Sequence, residues 1–238
     1  MQPAIHQAVV LAGGMGSRLG ALTAETPKPL LPVGGRPFAE WLVANLERRG
    51  IGDIIFTVGY RADAFESWVR GRTGGPAISS FVEETPLDTG GALSLLADRL
   101  DEHFFVLNGD TLFDAPFAEL AALLSDSGAA AAMALLDVPD AGRYGRVRLE
   151  GSRVTSFHEK GGDGAGLING GVYALTREAV IGRNGPFSLE RELLPELTAE
   201  GRLAGMVSRG FFIDIGVPES FQDAQRSVPS WWAAAVKP

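Results

Sequence analysis

Cysteine is absent from the 238 residues, which excludes a disulfide framework and a thiolate metal site and fits a reducing compartment. Histidine is scarce. His6, His103 and His158 are the only three, and none has a Ser or Cys at a spacing that suggests a nucleophile–base pair. Lysine is equally scarce, at Lys28, Lys160 and Lys237, so arginine carries most of the basic charge. No apolar run approaches the roughly 18 residues of a membrane span. Met1 to Gln7 lacks the basic-then-apolar pattern of a signal peptide, and a cytoplasmic location is expected. The formal net charge of −8 argues against a nucleic-acid surface. It does not argue against a small anionic ligand, because a few cations focused in a cleft outweigh a diffuse negative surface.

What is present is an ordinary globular composition, 45% hydrophobic and 21% charged, with an alternating order of elements. Strands are predicted at Ala8 to Leu11, Asp53 to Val58, Ile78 to Val82 and His103 to Leu107. Helices are predicted at Phe38 to Arg49, Ala62 to Val69 and Gly91 to Leu100. This rhythm predicts a parallel sheet with helices on both faces. Beyond residue 128 the pattern loosens. Ala129 to Val138 reads as strand or helix, Val147 to Leu149 and Val154 to His158 as a hairpin, and Leu167 to Leu175 as a strand. Leu189 to Thr198 is expected to be a helix, Phe211 to Ile215 a short strand, and Pro218 to Arg226 a helix with Pro in its first turn. The tail from residue 229, with Trp231 and Trp232, is apolar enough to pack on the domain or on a second subunit.

After the first strand comes Leu11-Ala12-Gly13-Gly14-Met15-Gly16-Ser17-Arg18-Leu19, then Pro27-Lys28-Pro29. Glycines leave backbone N–H groups free to converge on one bound group, and Arg18 and Lys28 add fixed positive charge; the combination suits a polyphosphate. A Gly-rich strand-to-helix turn is the plainer alternative. A Walker loop is excluded because Ser17 follows Gly16, and a dinucleotide fingerprint because Leu19 stands where a third Gly is needed. Asn108-Gly109-Asp110 lies at the carboxyl end of a predicted strand, where ligands of open α/β sheets bind. Asp110 there is either a turn residue or a ligand for a hard cation. Asp214, between apolar β-formers, is a second metal candidate, with a buried ion pair to an Arg as its alternative. The missing general base fits phosphoryl-type transfer to a nucleophile that is already anionic, where positioning and charge neutralisation do most of the catalysis.

With these pieces placed, the chain resembles the sugar-1-phosphate nucleotidyltransferases from about Ala8 to Gln225. The family signature G-G-x-G-[ST]-R-L, then P-K-P, stands at Gly13 to Leu19 and Pro27 to Pro29. The resemblance implies a Rossmann-like α/β fold with a mixed, mostly parallel sheet. It implies one domain over 1–238, with 1–115 mainly for the nucleotide, 116–228 mainly for the sugar phosphate, and 229–238 as a tail. Arg18, Lys28 and Asp110 would be catalytic. The nucleotide would lie against Leu11, Ala12, Gly13, Gly14, Gly16, Ser17, Arg18, Gly59, Glu83, Asp88, Thr89, Gly90, Asn108 and Gly109. Tyr144, Gly145, Glu159, Lys160, Asn169 and Gly170 would hold the sugar phosphate, and Asp110 and Asp214 would hold Mg²⁺. The implied substrates are an NTP and a sugar 1-phosphate, with a homo-oligomer as a further expectation.

Base and sugar are less legible. Glu83 or Glu84 suits the N1–H and 2-amino donors of guanine, whereas an amide would suit a pyrimidine better. Phe187 to Glu192, Gly210 to Glu219 and Val58-Gly59-Tyr60 resemble guanylyltransferases that act on heptose 1-phosphates. Asp88 departs from the Gly of many relatives, and uridylyltransferases acting on N-acetylmuramate 1-phosphate remain the alternative. A non-catalytic nucleotide-sugar-binding relative is disfavoured because the Arg, Lys and Asp positions are intact.

Overall fold

The apolar run at the start of the chain forms the central strand β1, Gln7–Leu11, buried on both faces. The computed structural model describes residues 5–14, 16–142, 144–158 and 164–237. After β1 come the short hairpin β2 (Pro32–Val33) and β3 (Arg36–Pro37), then α1 (Phe38–Glu47), β4 (Asp53–Val58), α2 (Ala62–Arg70), β5 (Ala77–Val82), α3 (Asp88–Leu95) and β6 (His103–Asn108). The second half contains β7 (Thr111–Phe113), α4 (Phe117–Ser127), β8 (Ala131–Val138), β9 (Arg146–Glu150), β10 (Arg153–His158) and β11 (Gly166–Thr176). It closes with α5 (Leu194–Ala199), β12 (Leu203–Val207), β13 (Phe212–Asp214) and α6 (Pro218–Ala235).

Nine strands form one sheet in the order β5-β4-β1-β6-β11-β8-β12-β10-β9. The first four are mutually parallel, which places the loops after β1, β4, β5 and β6 along one edge. β11 runs antiparallel between β6 and β8 and so joins the halves of the chain in one sheet. Parallel pairing is concentrated in the first half; in the second, among the described residues, β8 with β12 is the one parallel pair. Side chains alternate across this sheet as the two-residue period requires. Val10, Ile54, Phe56 and Phe105 face Phe38, Phe65, Phe117 and Val228 of α1, α2, α4 and α6. Val9, Ile55, Phe104 and Val106 face Leu93 of α3 and Leu194 of α5 on the other side. Phe56 and Phe105, at 0% and 2% exposure, each contribute about 1.5–3 kcal/mol by burial.

Ala131 to Val138 is a strand: its alanines are fully buried between β11 and β12, where small side chains let neighbouring layers close. Five elements named above lay outside the sequence expectation: β2, β3, α4, β7 and β12. The expected helix over Leu189 to Thr198 begins with a π-helical turn, Leu189–Leu193, capped by the Ser188 hydroxyl, which accepts from the Arg191 N–H. The helix expected over Pro218 to Arg226 runs on to Ala235, and of the two placements expected for the tail it takes the one on the domain. Residues 229–235 continue α6 through Pro229, and Trp231 and Trp232 pack on the domain, against Phe211 and Trp41 respectively.

Candidate active site

Because β1, β4, β5 and β6 end on one edge, their following loops enclose a cleft of ≈ 790 Å³. Its walls include Leu11, Ala12, Gly13 and Gly14 after β1, Gly59 and Tyr60 after β4, and Glu83 and Glu84 after β5. Asn108, Gly109 and Asp110 follow β6, and Lys28, Asp88, Thr89 and Glu190 complete the lining. The close fit of these loops explains several glycines. A Cβ at Gly109 would stand 2.6 Å from the Leu11 carbonyl oxygen, and the Gly109 N–H donates to that same oxygen at 2.9 Å. A Cβ at Gly13 would meet Glu83 Oε1 at 2.7 Å, so the carboxylate leans directly on the glycine loop.

Two cation–carboxylate neighbourhoods lie near one another. Lys28 Nζ donates to Asp110 Oδ2 at 2.8 Å, and both side chains are mostly shielded. Asp214 sits opposite Thr111 in the β7–β13 ladder, and the Ile215 N–H donates to the Asp110 carbonyl at 2.9 Å. The ladder therefore brings two aspartates, distant in sequence, to the same end of one ribbon. Asp214 Oδ1 accepts from the Gly216 N–H at 2.6 Å. Arg18 is exposed and outside the cleft lining, yet its guanidinium reaches this turn: a Cβ at Gly216 would lie 3.2 Å from Arg18 Nη2 and 2.7 Å from Asp214 Oδ1. Gly16 adopts a left-handed φ of 66°, and Thr23 donates to its carbonyl at 3.1 Å, which closes the signature loop upon itself. Ser17 begins the 3₁₀ segment that follows.

Glu83 is half-buried. Burial pushes its carboxyl above the ordinary range; the Leu87 N–H, donating to Oε2 at 3.1 Å, works against that rise, and the Asp88 charge adds to it. Asp88, Thr89 and Gly90 have their polar groups engaged within the protein. Asp88 Oδ1 accepts from the Thr89 N–H, the Thr89 hydroxyl donates to Glu190 Oε2 at 2.8 Å, and the Gly90 N–H donates to the Phe187 carbonyl at 2.9 Å. Asp88 also pairs with Arg191.

In the second half, Asn169 and Gly170 build a bulge in β11. The Asn169 carboxamide donates to Tyr173 Oη at 2.6 Å and accepts from the Gly171 N–H at 3.0 Å. A Cβ at Gly170 would strike the Phe113 ring at 2.6 Å. The Tyr173 phenol is fully buried, and its pKa rises well above the usual value through burial first and the Glu190 and Asp110 charges next. The Gly145 carbonyl accepts from the Asn169 N–H, and the Tyr144 ring meets Phe212 edge-on at 5.7 Å. Glu159 and Lys160 lie outside the described residues. Sequence reasoning passed over Tyr60 and Glu190 as cleft residues. Both stood in segments noticed only for their resemblance, and nothing in their local spacing showed that they would face the cleft.

On fold alone, this is an α/β protein whose ligand cleft lies at the carboxyl edge of its parallel strands, as such sheets require. A match to the nucleotidyl transferase family over residues 7–230 takes the assignment further: the chain belongs to that family. It is 33% identical over 226 residues to the D-glycero-alpha-D-manno-heptose 1-phosphate guanylyltransferase of Aneurinibacillus thermoaerophilus, covering 93% of this chain and 98% of the relative. Identity to the enzyme of the same name from Campylobacter jejuni is 35% over 218 residues, covering 90% and 96% respectively. The crystal structure of HddC from Yersinia pseudotuberculosis complexed with GMP-PN superposes with a TM-score of 0.81 at 32% identity, covering 93% of this chain and 98% of that one.

Enzymes of this family generally use a divalent cation. No group of three or more His, Asp or Glu side chains suited to a metal occurs among the described residues. Asp110 and Asp214 lie at the same end of the β7–β13 ribbon, and carboxylates are the donors a hard cation takes, one or two at a time, with phosphate oxygens and waters completing its shell.

Proposed function

We propose that this enzyme transfers a guanylyl group from GTP to D-glycero-α-D-manno-heptose 1-phosphate, giving GDP-heptose and pyrophosphate. The observation that carries the base assignment is Glu83: a carboxylate leaning on Gly13 matches the two donors that guanine alone presents side by side, N1–H and the 2-amino group. Similarity to heptose 1-phosphate guanylyltransferases over nearly the whole chain supports the sugar.

In this reading the Gly13–Gly14 backbone and Arg18 hold the β- and γ-phosphates, while Lys28 steadies the reacting phosphate. Leu11, Ala12 and Gly59 flank the nucleotide, with Asn108 and Gly109 beneath it. A sugar-phosphate oxygen attacks the α-phosphorus in line, the α–β bridging bond breaks, and pyrophosphate leaves with that electron pair. The nucleophile arrives charged, so no proton need be removed, consistent with the histidine-poor sequence. Asp110 and Asp214 would hold Mg²⁺, whose chemistry there is to neutralise charge on the phosphate oxygens. Tyr144, Gly145, Asn169 and Gly170 shape the sugar side through the β11 bulge, and Glu159 and Lys160 are assigned to the sugar phosphate by resemblance.

The test is a pyrophosphate-release assay of four NTPs against heptose, mannose, glucose and N-acetylmuramate 1-phosphates. The expected result is release with GTP and the heptose 1-phosphate. Release with UTP and not GTP overturns the reading.

A further inference from the structure

Asp88 is the first residue of α3 and holds a φ of 59°, a left-handed conformation that costs an L side chain about 1–2 kcal/mol and that glycine adopts freely. Its carboxylate is fastened on both sides: Oδ1 accepts from the Thr89 N–H at 2.8 Å, and Oδ2 pairs with Arg191 from the π-helical turn. The two segments are 103 residues apart and are joined along their length. The Thr89 hydroxyl accepts from the Leu189 N–H, the Phe187 carbonyl accepts from both Gly90 and Gly91, and the Leu87 carbonyl accepts from the Phe187 N–H. A Cβ on Gly90 would overlap the Phe187 ring at 2.1 Å, so the contact leaves no slack.

The other end of this loop is Glu83. Its Oε2 accepts from the Leu87 N–H, the residue immediately before Asp88. Glu84, Thr85 and Pro86, between these anchors, are exposed. The loop that carries the cleft carboxylate is thus held at Leu87 and Asp88, and the charge that holds Asp88 comes from the other half of the chain.

We propose that Asp88 and Arg191 are a positioning pair that sets base selectivity by fixing the Glu83 carboxylate. Neither residue need touch the base. The inference rests on the reading of Glu83 as the guanine acceptor. It explains why a strained aspartate occupies a position whose backbone suits glycine: the side chain holds the loop that glycine would leave loose.

The experiment compares GTP with ITP, which differ only in the 2-amino group that a displaced Glu83 would cease to recognise. In Arg191→Gln the GTP-to-ITP ratio of kcat/KM should fall about three- to five-fold, the size that the coupling of a largely exposed ion pair supports. The loss should appear in KM for GTP more than in kcat, and Arg191→Lys should recover part of it. Asp88→Gly should give the same loss of discrimination, and it cannot fail through backbone strain because the φ suits glycine. An unchanged ratio in both variants, with only a lower Tm, makes the pair a structural brace and overturns the proposal. A wild-type enzyme that fails to prefer GTP over ITP instead overturns the Glu83 reading itself, and the positioning role with it.

Discussion

Lys28 Nζ lies 2.8 Å from Asp110 Oδ2, so a signature-loop cation and a strand-end carboxylate, 82 residues apart, are partners in one ion pair. The pairing fixes both side chains at the floor of the cleft, beside the Leu11–Gly109 contact that registers β1 against the loop after β6. It follows that removing either charge alters the site more than the scaffold, since neither side chain fills the core. Asp110→Asn keeps the shape of the carboxylate and removes its charge. Turnover should fall by about 10²–10³-fold, as for loss of a group that stabilises transition-state charge. The Mg²⁺ dependence of pyrophosphate release should weaken, and Tm should stay close to wild type. Wild-type turnover at saturating Mg²⁺ would sink the assignment of Asp110 as a metal ligand.

Glu83 gives a pH signature. As the proposed acceptor of two hydrogen bonds from guanine, Glu83 would need its ionised carboxylate, and burial raises the pKa at which that form is lost. KM for GTP should therefore climb as pH falls from neutrality toward the acid range, earlier than an ordinary glutamate would allow. Glu83→Gln should flatten that profile and lower kcat/KM for GTP about ten- to hundred-fold, the worth of hydrogen bonds to a charged group. The stability of the free enzyme moves the other way. Ionising a carboxyl with a raised folded pKa costs stability; the cost is absent below the unfolded pKa and complete above the folded one. Thermal melts should therefore show Glu83→Gln gaining on wild type at neutral pH and showing no such gain in acid. Parallel KM profiles for the two proteins would remove Glu83 from the base site.

How much of this was legible in the sequence varies with the range of the interaction. The parallel half was readable because β1, β4 and β6 are short apolar runs closed by glycine, and α1 repeats its apolar residues at helical spacing, as at Phe38, Trp41 and Leu42. The signature loop and Asp110 were readable because position at a strand end is a local property, and Lys28 because it stands in the Pro27-Lys28-Pro29 motif. What stayed hidden depends on partners far along the chain. That Asp214 neighbours Asp110 follows from the β7–β13 ladder, and neither three-residue strand carries a periodic signal. The engagement of Asp88 by Arg191 and of Thr89 by Glu190 depends on the π-helical turn Leu189–Leu193 folding back beside α3. The bulge that the Asn169 carboxamide closes likewise has no local signal, since it depends on Tyr173 and Gly171 being held in the register of β11.

The C-terminal helix supplies the remaining prediction, since an apolar tail proved to be a brace for the hairpin that follows Lys28. Gln225 of α6 donates to the Pro32 carbonyl and accepts from the Gly34 N–H, spanning β2 and its turn. Arg36 lies 3.3 Å above the Trp41 ring and 5.8 Å from that of Trp232, with Nε and Nη2 buried and without a hydrogen-bond partner, so the ring faces help to hold this cation. Gly34 and Gly35 separate two costs of adding a side chain here. Both have positive φ, 59° and 86°, but a Cβ at Gly34 would stand 2.3 Å from Pro229 Cγ, whereas none of the surroundings approach within 4 Å at Gly35. Gly35→Ala should lose about 1–2 kcal/mol in urea denaturation, the left-handed penalty alone. Gly34→Ala should lose about 2–4 kcal/mol, because overpacking against Pro229 adds to that penalty. Equal losses at the two positions would mean that Pro229 does not press on the hairpin, and that α6 holds it through Gln225 and the tryptophans alone.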